Sequence, residues 1–251
     1  MLISRPPFII HHFASIDSTN DQLKKMADAP EFTCVVADRQ TAGRGRYGRT
    51  WHSAPGDGLY LSVLLCPQGP SSKIPSLSLM AGIAVAEVLI ARDITGVDIK
   101  WPNDVLVNDR KVCGVLVEGT SSGEHHHRII LGIGVNLNHR SFPQKLSATA
   151  TSLMIETGRP VDISEFCDQL LERVAHWYES WTLSDGIISR FQELSSYARG
   201  RMVIVTLDDE QITGETAGLT ETGALRVATS DGRVKQIMAG EVMRVRTSGN
   251  Q

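Results

Sequence analysis

Between Gly43 and Arg49 the chain places three glycines, three arginines and one tyrosine in succession, flanked by Gln40 and Trp51. Glycines let a backbone come close to a ligand and aim several N–H groups at it. Arginines add planar, fork-shaped donors that suit carboxylate and phosphate. Such a loop is suited to surround an anion. The whole chain carries a net charge of −3, so this positive charge is a local device.

Three further blocks carry groups that could act with it: Lys100-Trp-Pro-Asn-Asp-Val105, Lys111-Val-Cys-Gly-Val-Leu-Val-Glu118 and Gly132-Ile-Gly-Val-Asn-Leu-Asn138. With the Gly-Arg-Gly-Arg-Tyr-Gly-Arg run and Trp51, these blocks resemble the biotin protein ligases, in family order, from about Ser15 to the C-terminus. Members of that family join biotin and ATP to give biotinyl-5′-AMP. They then pass biotin to a lysine of a biotin carboxyl carrier protein domain, such as that of acetyl-CoA carboxylase.

The resemblance implies roles. Bringing a carboxylate to the α-phosphate of ATP requires charge neutralisation and alignment, for which Arg44, Arg46 and Lys111 are the candidates. Arg44, Gly45 and Arg46 would contact the biotin carboxylate and the adenylate phosphate. Ser18, Thr19 and Asn20 match the family's Ser-Thr-Asn element, and Gln40 its amide, which can donate to and accept from a urea. Ser18 and Thr19 could equally cap a helix. Gly114 and Gly132 would let strand and ligand approach, or mark bulges. Asp104 would orient the incoming amine or take its proton, or cap a Pro-Asn turn. Trp51, with the strand near Val115 to Val117, would pack on adenine. Arg49, Asn103, Gly132 and Asn136 complete the nucleotide set. Asn136 could instead bond backbone at a strand end, and Arg49 could face water. Tyr47 stands where some members carry a basic residue. ATP would bring Mg²⁺, since magnesium binds largely through substrate phosphates.

Those groups need a scaffold. A helix is expected from Ser18 to about Asp28, and strands over Cys34–Asp38, Leu59–Cys66, Val97–Trp101, Val105–Val107, Lys111–Val117 and Arg128–Leu137. The segment Leu77–Arg92 is apolar on almost every face, which predicts a buried helix. Asp162 with Glu165 has the form of a capping box. Behind it Leu170, Leu171, Val174, Trp177, Tyr178 and Trp181 recur at helical spacing, which predicts core packing over Ile163–Trp181. A last helix is expected from about Asp185 to Tyr197. After Gly200 turn signals come every few residues: Asp208-Asp209, Thr213-Gly214, Thr222-Gly223, Asp231-Gly232 and Ala239-Gly240. That texture predicts a small β-barrel. The expected organisation is α+β: a mixed sheet flanked by helices over 1–199, of class II aminoacyl-tRNA synthetase type by resemblance, then an SH3-like barrel over 200–251.

Composition sets outer bounds. At 41% hydrophobic and 21% charged the chain reads as an ordinary globular protein. Its mild acidity argues against a broad nucleic-acid binder. No apolar run is long enough to read as a bilayer span, and the N-terminus lacks signal-peptide features. Four scattered cysteines without Cys-x-x-Cys fit a reducing cytoplasm. Some relatives repress transcription through an N-terminal winged helix. Only seventeen residues precede Ser18 here, so no DNA partner is expected. A homodimer is compatible with the family. The run His125-His126-His127 is expected at a solvated hairpin tip, without metal. The glycine-rich loop is expected to be mobile until ligand arrives. Two rival readings stand beside ligation of biotin: a lipoate or octanoate ligase, and a module that binds biotinyl-adenylate without turnover.

Overall fold

The computed structural model describes residues 8–122, 126–207 and 210–244. Seven strands form the first sheet: β1 (Ile9–Phe13), β2 (Thr33–Ala37), β3 (Gly58–Leu65), β4 (Val97–Lys100), β5 (Asp104–Val107), β6 (Arg110–Ser122) and β7 (His126–Asn136). Their order is β1-β2-β3-β7-β6-β5-β4. Only β1 and β2 run parallel; the remaining pairs are antiparallel.

The helices are α1 (Thr19–Lys25), α2 (Leu77–Ala91), α3 (Leu153–Thr157), α4 (Ile163–Thr182) and α5 (Ile187–Leu194). Strand alternation decides what each face of the sheet meets. Ile99, Val105, Val115, Ile133 and Leu61 join α2 and α4 in the main core. On the opposite face, Leu64 and Ile130 meet Leu23 of α1 in a smaller cluster. The rest of that second face, beyond the short α1, carries the groups discussed below.

Together with the 3₁₀ turn before it, α2 forms a 21-residue apolar stretch, Ser71–Ala91, long enough by length and composition to cross a membrane. This corrects the expectation that no such run exists. Some 72% of its most apolar window is buried inside the protein, which is how a central core helix satisfies the same pattern.

Helix boundaries follow local chemistry. Ser18 caps α1 by accepting from Asp21 N, but the helix ends at Lys25, before Asp28. Asp162 caps α4 through Ser164 N and Glu165 N. The return half of the expected capping box is replaced: Glu165 accepts from Arg92 and Gln169, tying α4 to the end of α2. The last helix starts only at Ile187, because Gly186 takes a left-handed φ of 71°.

Five strands make a second, antiparallel sheet: β8 (Arg199–Thr206), β9 (Gln211–Leu219), β10 (Leu225–Ala228), β11 (Val234–Ile237) and β12 (Glu241–Arg244), ordered β11-β10-β9-β8-β12. Thr213-Gly214 lies inside β9 and makes no turn there. A Cβ on Gly214 would sit 2.2 Å from Ala228 O, so this glycine admits the neighbouring strand. Asp208-Asp209 falls outside the described residues. The indole of Trp101, 1% exposed, donates to Gly223 O at 3.0 Å and joins the two sheets.

The histidine run also departs from expectation. His126 and His127 belong to β7, and His127 is buried with Nε2 2.8 Å from Gly69 O. His125 lies outside the described residues.

Candidate active site

A cleft of about 450 Å³ opens on the sheet face opposite α2 and is walled on one side by Gly240, Glu241 and Val242 at the second sheet. Of the residues assigned above to binding or catalysis, Ser18, Thr19, Asn20, Gln40, Arg44, Gly45, Arg46, Arg49, Trp51, Asn103, Asp104, Lys111, Gly114, Gly132 and Asn136 line it; of the strand offered to adenine, Val115 lines it and Val117 does not.

One end is built at the start of α1. Gln40 Oε1 accepts from Thr19 N at 2.8 Å and from the Thr19 hydroxyl at 3.1 Å, and Gln40 Nε2 donates to Ser53 at 3.1 Å. From β3 below, Ser62 Oγ reaches Thr19 Oγ1 at 2.8 Å and Asn20 Oδ1 at 2.5 Å. A Cβ on Gly132 would lie 2.5 Å from Asn20 Oδ1. Gly132 therefore makes room for Asn20, and the space the sequence assigned to a ligand beside that glycine is filled by the protein's own amide.

The glycine-arginine loop folds back on itself. Gly45 N donates to Arg49 O at 2.7 Å and Trp51 N to Gly43 O at 2.8 Å, around a 3₁₀ turn at Arg46–Gly48. The turn holds Tyr47 at a φ of 56° with its ring exposed. Side-chain bonds anchor this folded hairpin at three points. Arg44 pairs with both Asp21 oxygens at 2.7 Å and with Glu118 at 3.1 Å. Arg49 pairs with Glu241, one contact being 2.9 Å. Arg49's hydrogen bond holds the Glu241 carboxyl below the ordinary carboxylate range despite partial burial. Arg46 is held by neutral oxygens: Asn103 Oδ1 at 3.2 Å, Gly240 O at 3.4 Å and the Tyr47 hydroxyl at 3.1 Å. It is the one arginine of the three whose charge no carboxylate offsets among the described residues.

The middle of the cleft is floored by glycine. Gly114 of β6 pairs directly with Gly134 of β7, and the Trp51 ring lies over both: added Cβ atoms would come 2.8 Å and 2.5 Å from it. Lys111 Nζ sits 5.4 Å from the Trp51 ring centroid and 2.6 Å from Asp104 Oδ1. Asn103 is fixed beside them by donating to Val115 O at 2.9 Å. Asn136 donates to Thr151 O at 3.0 Å, so its amide joins β7 to the segment forming the far wall. That segment contributes Phe142, Leu146 and Thr149, and Lys111 N donates to Thr149 O at 2.7 Å. Buried His139 stacks on Phe142 with centroids 4.9 Å apart. Burial depresses the His139 pKa below the ordinary histidine value; Asp57 opposes the shift and His52 adds to it.

Comparison with known proteins places the chain in a family. Residues 12–136 match the biotin/lipoate A/B protein ligase family, and residues 199–244 match the biotin protein ligase C-terminal domain. The chain is 36% identical over 234 residues to the bifunctional ligase/repressor BirA of Bacillus spizizenii, spanning 90% of this chain and 71% of that one. It is 34% identical over 236 residues to biotin–[acetyl-CoA-carboxylase] ligase of Paracoccus denitrificans, spanning 91% of this chain and 98% of that one.

The chain belongs to the biotin protein ligase family.

Among solved structures, the biotin protein ligase of Aquifex aeolicus in complex with biotin and ATP superposes with a TM-score of 0.82 at 33% identity, covering 95% of this chain and 99% of that one. Against this family background, the residues that sequence reasoning missed stand out. Ser62 and Glu118 lie on β3 and β6, behind the groups that face the cleft, and look like ordinary strand polars in sequence. Gly134 could have been found: it is the second glycine of the Gly132-Ile-Gly134 run, two residues on and hence on the same face. Glu241 and Phe142 carried no signal, because only folding brings them to the cleft, whereas His52 directly follows Trp51.

Proposed function

We infer that this ligase activates biotin with Mg·ATP and transfers it to a lysine of a carrier protein. The single observation that carries the reading is the convergence of Lys111, Asp104 and Arg46 over a glycine floor, between a wall of amides and hydroxyls and a wall from the second sheet. The biotin acid oxygen attacks the α-phosphorus of ATP, forming biotinyl-5′-AMP as pyrophosphate leaves. Lys111 and Arg46 would offset the negative charge on the α-phosphate oxygens as the phosphorus becomes five-coordinate. In the second step a neutral lysine amine attacks the acyl carbon, AMP leaves, and the amine's proton passes to a base. Asp104 supplies an oxygen for that proton or orients the amine. The amides of Gln40 and Asn20 and the hydroxyls of Ser18 and Thr19 form the end suited to a urea. Trp51 and the Phe142 wall offer apolar surface for the adenine. Magnesium would enter as part of the nucleotide, held mainly by phosphate oxygens.

The test is release of pyrophosphate from Mg·ATP, followed by mass spectrometry of an added biotin carboxyl carrier domain. Biotin-dependent release and a single added biotin on the carrier are expected. Release driven by lipoate in place of biotin would point to lipoate or octanoate ligation. Binding of biotin and ATP without release would identify a non-catalytic binding module.

A further inference from the structure

Glu118 stands outside the lining of the cleft, yet its carboxylate gathers donors from two different parts of the wall. From α1 it accepts Asn20 Nδ2 at 2.6 Å and Lys24 Nζ at 2.9 Å. From the glycine-arginine loop it accepts Arg44 Nη2 at 3.1 Å. Burial alone would raise its pKa, but the Asn20 and Lys24 hydrogen bonds and the Lys24 and Arg44 charges outweigh that and hold it below the ordinary range. The carboxylate is therefore ionised wherever the protein is folded at neutral pH.

Asn20 is gripped from both ends. Glu118 takes one N–H, Ser62 reaches the carbonyl oxygen at 2.5 Å, and Gly132 leaves the space in which the amide lies. One N–H and one lone pair remain to face a ligand. Arg44 and Lys24 match Asp21 and Glu118 charge for charge, so this cluster adds no net positive field to the cleft. Its effect is geometric: it fixes the orientation of an amide and the seat of a loop.

Resting on the biotin-ligase reading, we propose that Glu118 is a positioning residue for the vitamin-binding end of the cleft, acting through Asn20 and Arg44. It touches no reacting atom. Asp21 shares Arg44 but has no bond to Asn20 among the described residues, so the two carboxylates are not equivalent. The charged members of this network are only partly buried, yet a shared network responds to loss of one member more than a single pair suggests.

The experiment is steady-state kinetics of biotin-dependent pyrophosphate release for the parent, Glu118→Gln and Asp21→Asn, with thermal unfolding of each. For Glu118→Gln the expected result is a rise of about tenfold in KM for biotin, with kcat and KM for ATP within about twofold of the parent. Asp21→Asn should shift KM for biotin by less than about threefold. Should Glu118→Gln fail to fold, Glu118→Asp carries the same test with a rise of about threefold, since the shorter acid keeps its charge but loses reach. The proposal is overturned if KM for biotin is unchanged in the folded variant. It is equally overturned if all three constants worsen together. A parent without biotin-dependent release would instead overturn the functional reading itself.

Discussion

Lys111 and Asp104 form an ion pair across neighbouring strands, Nζ to Oδ1 at 2.6 Å, at the centre of the cleft floor. Both side chains are partly exposed to the cleft, so the pair keeps solvent access and each member can be approached. The pairing places a cation and a carboxylate within one contact. It also means that removing either partner changes the environment of the other.

Lys111→Ala should slow biotin-dependent pyrophosphate release by about 100-fold or more, the usual scale for loss of one preorganised stabiliser. Circular dichroism and thermal unfolding should stay close to the parent, because the side chain is not part of the core. A rate within twofold of the parent would remove Lys111 from the first step.

Arg46 is the loop cation without a carboxylate partner among the described residues, and it links the loop to Asn103 and Gly240. Arg46→Ala should release biotinyl-adenylate about tenfold faster, read as random labelling of a lysine-rich bystander protein. Bystander labelling at the parent level would mean that another group retains the intermediate.

Gly134→Ala should displace the Trp51 ring, since the new Cβ would fall 2.5 Å from Cε2. Overpacking of this kind costs about 1–3 kcal/mol. Tryptophan emission should shift and KM for ATP should rise. An unchanged KM for ATP together with a shifted emission would show that Trp51 does not serve the nucleotide.

His139 is buried and neutral, with its folded pKa below the ordinary histidine value. The unfolded chain therefore takes up a proton at higher pH than the folded one does. The stability this residue supports is complete above about pH 6.5 and declines as pH falls below that value. Urea unfolding at pH 7.5 and pH 5.5 should show the loss, and His139→Phe, which keeps a ring against Phe142, should make it smaller. An identical pH slope in parent and variant would clear His139 of the effect.

Much of the fold was legible because its signals are local. Ser18 and Asp162 cap helices as their side chains dictate. Asn108 and Asp109, with φ of 50° and 62°, make the tight turn between β5 and β6 that Asn and Asp tolerate best. The apolar stretch of α2 announced a buried helix, although its length also met a membrane criterion that only its packing resolves. Most of the residues that line the cleft were legible too, as a set. What each member touches was not. Arg44, Arg49 and Gly132 meet partners within the protein that lie far away in sequence, on α1, β6 and β12, while Asn136 bonds backbone, the alternative its strand-end position offered.

Lys111 shows the limit most clearly. Simple alternation along Lys111-Val-Cys-Gly114 puts the lysine and the glycine on opposite faces of the strand. In the structure the register shifts between Val105 and Leu106, so that Asp104 pairs with Gly114 while Leu106 pairs with Lys111. Val112 is the extra residue of a bulge, and it turns the lysine onto the same face as Asp104 and Gly114. The amino-acid order by itself determined which groups would gather and the elements that carry them, since propensity, capping and periodicity act over a few residues. Only the tertiary structure decided which face, partner and charge each group would have, since those depend on strand register and on contacts between segments distant along the chain.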